Sequence, residues 1–281
     1  MMPLVAILVV FGGFMSFNLD THEAWTKIYY IIGIATALIG IAGWFMIEDS
    51  PDLRKTRESL GETLAYSFRP SVAADNRTLY LTLLNFAVFG ISIQVFMPYL
   101  IIYYEKTLGL DNYVIIFAPA IILAAAVTVF YGRLYDSRGF MKSMIPVLLM
   151  LMAGYIILYF TPAHSAAKAF AGSLLMMSGY LSGMSVFGAA IRDNIPEGRA
   201  GQFQGVRIIG QVFVPGLIGP AVGAWVLRDA EMIVNSDGTE SFLPDKGIWS
   251  AAMAVLILLT GVLALTMRKN AEKHSKETAA R

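Results

Sequence analysis

From residue 79 to residue 104 the chain carries no charged side chain, and other apolar runs of comparable length follow it, set apart by charged connections. A helix needs about 20 apolar residues to cross a bilayer, because the hydrocarbon core is about 30 Å thick and each residue adds about 1.5 Å. Backbone groups in hydrocarbon must be paired inside the structure that carries them, so only helices and closed barrels span it. These runs are too long and too little alternating for barrel strands. Apolar runs bounded by charge give eight candidate spans: 3–17 (A), 28–47 (B), 79–104 (C), 113–134 (D), 143–161 (E), 169–190 (F), 206–227 (G) and 248–267 (H). The expected fold class is therefore all-α, a polytopic integral membrane helical bundle of about eight transmembrane helices. Span A is short and starts almost at Met1 with no basic leading region, a poor fit to a secretory signal peptide.

Composition supports that reading: 57% of the 281 residues are apolar and 15% charged, where a soluble domain has about a quarter charged. The absence of cysteine excludes disulfide scaffolds, thiolate zinc sites and thiol nucleophiles. No metal-ligand cluster, nucleophile triad or phosphate loop is present, so neither an enzyme, a metal nor a cofactor is expected. A net charge of +1 offers no dense basic face for nucleic acid.

That small net charge hides a separation. Arg54, Lys55, Arg57, Arg69 and Arg77 precede span C; Arg133, Arg138 and Lys142 lie between D and E; Arg192, Arg199 and Arg207 lie between F and G; and Arg268, Lys269, Lys273, Lys276 and Arg281 follow H. Only Lys27, Lys106, Lys168, Arg228 and Lys246 fall on the other side. The positive-inside rule puts both termini in the cytoplasm and requires an even number of crossings, in a multi-pass plasma (inner) membrane protein. Segment 48–78 is long for a connection and reads as a cytoplasmic linker, with a short surface helix expected at Asp52–Phe68 between Ser50-Pro51 and Pro70. The expected organisation is two helices in 1–47, this linker, a six-helix bundle in 79–267 and a cytoplasmic tail in 268–281; the alternative is one eight-helix bundle with an arbitrary loop.

Between D and E stands Gly132-Arg133-Leu134-Tyr135-Asp136-Ser137-Arg138-Gly139-Phe140-Met141-Lys142. Gly139 offers backbone freedom for a tight turn, Gly132 room for close helix approach, and Asp136 a carboxylate able to cap a helix or pair with arginine. A generic basic turn obeying the positive-inside rule is the plainer reading. The segment resembles the G-x-L-x-D-[RK]-x-G-[RK]-[RK] signature of the major facilitator superfamily, found between the second and third helices of each six-helix half. Gly132, Leu134, Asp136 and Gly139 match; Ser137, Phe140 and Met141 depart, which leaves open which of the neighbouring cations pairs with Asp136. Asp193 to Gly201 is similar to the family's turn between its tenth and eleventh helices. Counting span C as the first helix of a half makes D and E its second and third, so the resemblance implies helices like the fifth to the twelfth, and with Met1-Met2-Pro3 leading straight into an apolar run a truncated chain is expected. Pro98-Tyr99-Leu100 and the Asn76-Arg77 start of span C resemble the superfamily's glycoside, pentoside and hexuronide cation symporters.

A translocating bundle needs polar side chains away from lipid. In span C, Asn85, Ser92, Tyr99 and Tyr103 fall within about 40° of one another at about 100° per residue, interleaved with Phe89 and Phe96. Amides and hydroxyls beside aromatic rings suit a neutral, sugar-like solute; packing against other helices is the equal alternative for any one of them. Ser178 and Ser182 share a face of span F, where Gly179 and Gly183 suit close packing, and Gln211 lies near the start of G. Pro98 in C, and Pro215, Gly216, Gly219 and Pro220 in G, are the expected hinge positions. The expected substrate cavity is thus Asn85, Ser92, Tyr99, Tyr103, Ser178, Ser182 and Gln211. The expected cytoplasmic gate is Gly132, Arg133, Asp136, Arg138, Gly139 and Lys142, and the resemblance implies that Asp136 latches against the start of the fifth helix, at Met1 to Leu4.

The expected function is transport of a small polar solute by alternating access. The partners are the solute, the lipid bilayer and either a coupling cation, a proton or sodium, or none in a uniporter. No Asp, Glu or His lies mid-span to hold such a cation. The competing readings are a non-transporting assembly partner or receptor on the same helices, and an inert fragment.

Overall fold

The computed structural model describes residues 22–46, 65–110, 112–234 and 240–279. Span A, the expected latch partner Met1 to Leu4, and residues 52–64 of the expected surface helix lie outside the described residues. The chain forms two compact units, Met1–Leu60 with Val234–Glu240, and Gly61–Ile233 with Ser241–Arg281.

In the first unit α1, His22–Met46, covers span B. It is apolar all round, with Tyr29, Ile39, Trp44 and Phe45 all exposed, as suits a helix whose solvent is lipid.

In the second unit α2, Arg77–Gln94, begins span C, but the span is not one regular helix. Pro98 has no N–H and blocks the preceding turn, so the chain continues as a 3-10 turn at Met97–Tyr99, one α turn at Leu100–Ile102 and a π turn at Tyr103–Thr107. This distortion lies after Gln94, so Asn85 and Gln94 stay on opposite faces of the regular part.

Spans D and E form one helical element, α3, Tyr113–Tyr159, broken where Gly139 takes φ 75° and ψ −179°. Only glycine accepts that conformation without strain. The arms on either side measure about 39 and 30 Å, each enough for one crossing. They double back on each other: Thr128 of the first arm meets Ser182 of α4, Ala166–Asn194, and Leu151 of the second arm meets Gly179 at the same level.

Span G begins earlier than its apolar run, at α5, Ala200–Ile208, then a π turn at Ile209–Phe213 and α6, Val214–Val226. Two short strands follow, β1, Met232–Val234, and β2, Glu240–Phe242, a ribbon outside every apolar run. The last helix, α7, Gly247–Ala279, carries span H. Five of the described helical stretches are long and apolar enough to cross a membrane, with α3 holding two of the expected spans, and Gly247–Leu263 is a shorter apolar stretch.

Small residues set the approach of these helices. A Cβ on Gly179 would stand 2.7 Å from the Leu151 Cα, and Gly183 lies under the Phe89 ring. Along α6, Pro215 seats on Gly90, Gly219 on Gln94, and Gly223 on the Val95 carbonyl and Tyr99 ring, one seam at i, i+4 and i+8. Phe96, Tyr103, Tyr155 and Trp249 close the opposite side of α2 with ring centroids 4.9 to 6.0 Å apart. Gly223→Ala is expected to destabilise the bundle by about 1–3 kcal/mol through overpacking, whereas Gly216→Ala, whose Cβ meets nothing within 4 Å, leaves it unchanged or slightly firmer. Thermal unfolding of the two variants in detergent checks the contrast.

Candidate functional site

The break at Gly139 places residues 132–142 at one end of the bundle, with the last turn of α4. Arg133, Asp136, Arg138 and Lys142 are exposed there, and among the described residues none of the four forms an ion pair. The carboxylate that ties the turn to the bundle is Asp193, not Asp136. Tyr135 Oη donates to Asp193 Oδ2 at 2.7 Å, and Arg192 Nε reaches Oδ1 at 3.5 Å. Tyr135 has no place in the expected gate, since the signature leaves its position free; a phenol at a membrane border facing an acid in the next turn was the available signal. The expectation that Gly132 allows close helix approach fails, because a Cβ there meets open space.

Behind the turn lies a cavity of about 320 Å³ walled by Thr78, Thr82 and Asn85 of α2, Tyr135, Phe140 and Met141 of the turn, Asn194 of α4 and Leu263 of α7. Three of its polar side chains donate to carbonyls four residues back on their own helices: Thr82 to Thr78 at 2.8 Å, Asn85 to Leu81 at 2.7 Å and Asn194 to Ala190 at 2.7 Å. Asn85 is 3% exposed and its Oδ1 has no partner.

The rest of the polar stripe in span C does not share this cavity. Ser92 Oγ donates to the Ala252 carbonyl at 2.9 Å and lies 3.2 Å from Tyr155 Oη, while Tyr103 Oη donates to the Leu158 carbonyl at 3.2 Å. Both are buried between α2, the second arm of α3 and α7. Tyr99 is half-buried against Gly223, Ser178 is buried, and Ser182 Oγ donates to Thr128 Oγ1 at 3.4 Å.

Gln211 is half-buried in the π turn, where its Oε1 accepts from Arg207 Nε at 3.3 Å. Because α5 starts at Ala200, Gln211 lies about 16 Å along a helical path of about 40 Å. Of the expected hinge residues, Pro98 sits in the 3-10 turn and Pro215 follows the π turn after Val214. Gly219 is a packing contact, Pro220 lies inside α6 and Gly216 borders open space. Among the described residues no three His, Asp or Glu converge as a metal site requires.

Burial, and then the bond to Asp193, raise the Tyr135 pKa above its ordinary value. The sign follows: this contribution to stability is complete below about pH 10 and is lost as pH rises beyond it, where the unfolded phenol ionises first. Tyr135→Phe is expected to cost about 1 kcal/mol at neutral pH, a charge-assisted bond discounted for solvent, and to lower the unfolding midpoint by roughly 2–4 °C. The same variant should lose the alkaline part of the stability profile.

Compared with known proteins, residues 1–220 match the family model described as Major Facilitator Superfamily. Neither a curated protein nor a solved structure matches the chain.

Proposed function

The chain belongs to the major facilitator superfamily, and from that premise we propose that it moves a small polar, sugar-like solute across the plasma membrane by alternating access. Membrane transport of small solutes is its function in general terms, and its family is one of transporters, not enzymes. It is a multi-pass membrane protein.

The observation that carries the finer reading is the interruption of the path from α5 to α6. A π turn with Pro215 two residues beyond it interrupts the regular ladder and holds a half-buried amide, Gln211, partway along the path. Discontinuous helices of this kind form binding sites in secondary transporters. Gln211 and Arg207 are the proposed polar ligands, with Tyr99 as an aromatic wall on the neighbouring helix. Residues 79–267 are the proposed rocking bundle, 1–47 the end of the preceding half, 48–78 the cytoplasmic linker and 268–281 the tail. The separation of cations supports placing the 132–142 turn in the cytoplasm, where Asp136, exposed and unpaired among the described residues, is the proposed latch. If transport is coupled to a proton or sodium, as in the cation symporters, the coupling carboxylate lies outside spans C to H.

Uptake of radiolabelled monosaccharides, disaccharides and polyols into proteoliposomes holding the protein tests this reading. Saturable uptake is expected for at least one of them. Gln211→Ala should lower it about tenfold, and Asp136→Asn about fivefold or more, the size of a conformational coupling, with neither variant changing the amount reconstituted. Wild-type rates in both variants would remove the site and the latch respectively, and no uptake above empty vesicles would remove the sugar-like class.

A further inference from the structure

The cavity behind the turn does not end in solvent alone. A second space of about 290 Å³ lies between the second arm of α3 and α7, walled by Ile145, Leu149, Met152, Leu256 and Thr260. Met141 and Leu263 wall both spaces. From Met141 to Met152 the helix descends about 16 Å, the depth of one bilayer leaflet. Ile145, Leu149 and Thr260 are exposed, so this groove opens at the surface of the second unit.

The two spaces together have the profile of an amphiphile: at the membrane border a chamber where Thr78, Thr82, Asn85, Tyr135 and Asn194 stand among apolar walls, and an apolar channel one leaflet long. Their chemistry narrows it further. Thr82 spends its hydroxyl donor, and Asn85 and Asn194 one amide N–H each, on their own helices, and Asn85 Oδ1 is a buried acceptor without a partner. That unpartnered oxygen is the observation that calls for a ligand hydroxyl donor in the chamber. The turn that supplies three of its walls carries Arg133, Arg138 and Lys142, exposed and without ion pairs among the described residues, against one free carboxylate, Asp136, since Asp193 is engaged by Tyr135 and Arg192.

We propose that the cavity and groove hold one glycerophospholipid with an anionic, hydroxylated headgroup, of the phosphatidylglycerol type. An acyl chain lies along the groove, the headgroup hydroxyls donate within the chamber, and the phosphate sits among the three cations. Basic pockets between helices recognise anionic headgroups in this way, and the acyl chain adds van der Waals packing along the groove that a free headgroup lacks. This site needs neither the solute nor transport, so its test stands apart from the uptake measurements.

Purified protein in detergent is incubated with phosphatidylglycerol, phosphatidic acid, phosphatidylcholine or free glycerol 1-phosphate, and the bound species are counted by native mass spectrometry. The expected result is one phosphatidylglycerol per chain under conditions that strip phosphatidylcholine, phosphatidic acid held about tenfold less tightly for want of a hydroxyl, and no bound glycerol 1-phosphate. Thr260→Trp, which fills the groove, should abolish retention, and Leu149→Trp on the facing wall should do the same should the first variant fold poorly. Asn85→Leu should erase the preference for phosphatidylglycerol over phosphatidic acid. The double variant Arg138→Gln, Lys142→Gln should weaken both anionic lipids about tenfold and leave phosphatidylcholine unchanged. Equal retention of the three lipids would reduce the groove to ordinary lipid contact. Binding of glycerol 1-phosphate as tight as the lipid would make the chamber a polar-solute site instead, and retention in both tryptophan variants would overturn the groove.

Discussion

Every described span answers to one constraint: in hydrocarbon no water pairs with a backbone amide or carbonyl, so the chain must pair them itself. The constraint reaches the polar side chains as well. Thr36, Thr82, Asn85, Thr128, Thr161 and Asn194 each donate to the carbonyl four residues earlier on their own helix. A polar residue in such a helix is thus partly satisfied before any neighbour arrives. The exceptions, where an acceptor is left over or the ladder itself breaks, carry more information than the polar residues as a class.

Two kinds of break occur in the second unit, with different consequences. At Gly139 a single left-handed residue returns the chain along α4 and makes two crossings of one helical element. At Pro98 and before Pro215 the helix continues through 3-10 and π turns, keeping its direction while shifting its register. Between these breaks the helices are held by close approach at small residues. The seam of Pro215, Gly219 and Gly223 on span C brings α6 into close contact with it.

The candidate sites were legible unequally. The 132–142 turn stood out because glycine, aspartate and cations at a membrane border are rare and directional, and the family match is consistent with what those residues implied. Its bond to the bundle was not legible: which of Asp136 and Asp193 meets Tyr135 depends on how α4 ends beside the turn, sixty residues away in sequence. The stripe Asn85, Ser92, Tyr99, Tyr103 follows helical spacing, but the helix is irregular beyond Gln94, so Tyr99 packs on α6 and Tyr103 on the other side. The structure puts Ser92 and Tyr103 against backbone carbonyls of α7 and α3, and leaves Asn85 alone beside a cavity.

The sequence by itself determined the solvent, the long apolar helices and the separation of charge, since each follows from counts and spacings along one chain: uncharged runs long enough to cross, no alternation, cations gathered in alternate connections. Only the tertiary structure decided which polar groups are spent and which are free, and that two spaces share Met141 and Leu263. The reason is physical: a hydrogen bond or a cavity wall depends on side chains from several helices meeting within a few ångströms, and no pattern within one helix contains the position of the others.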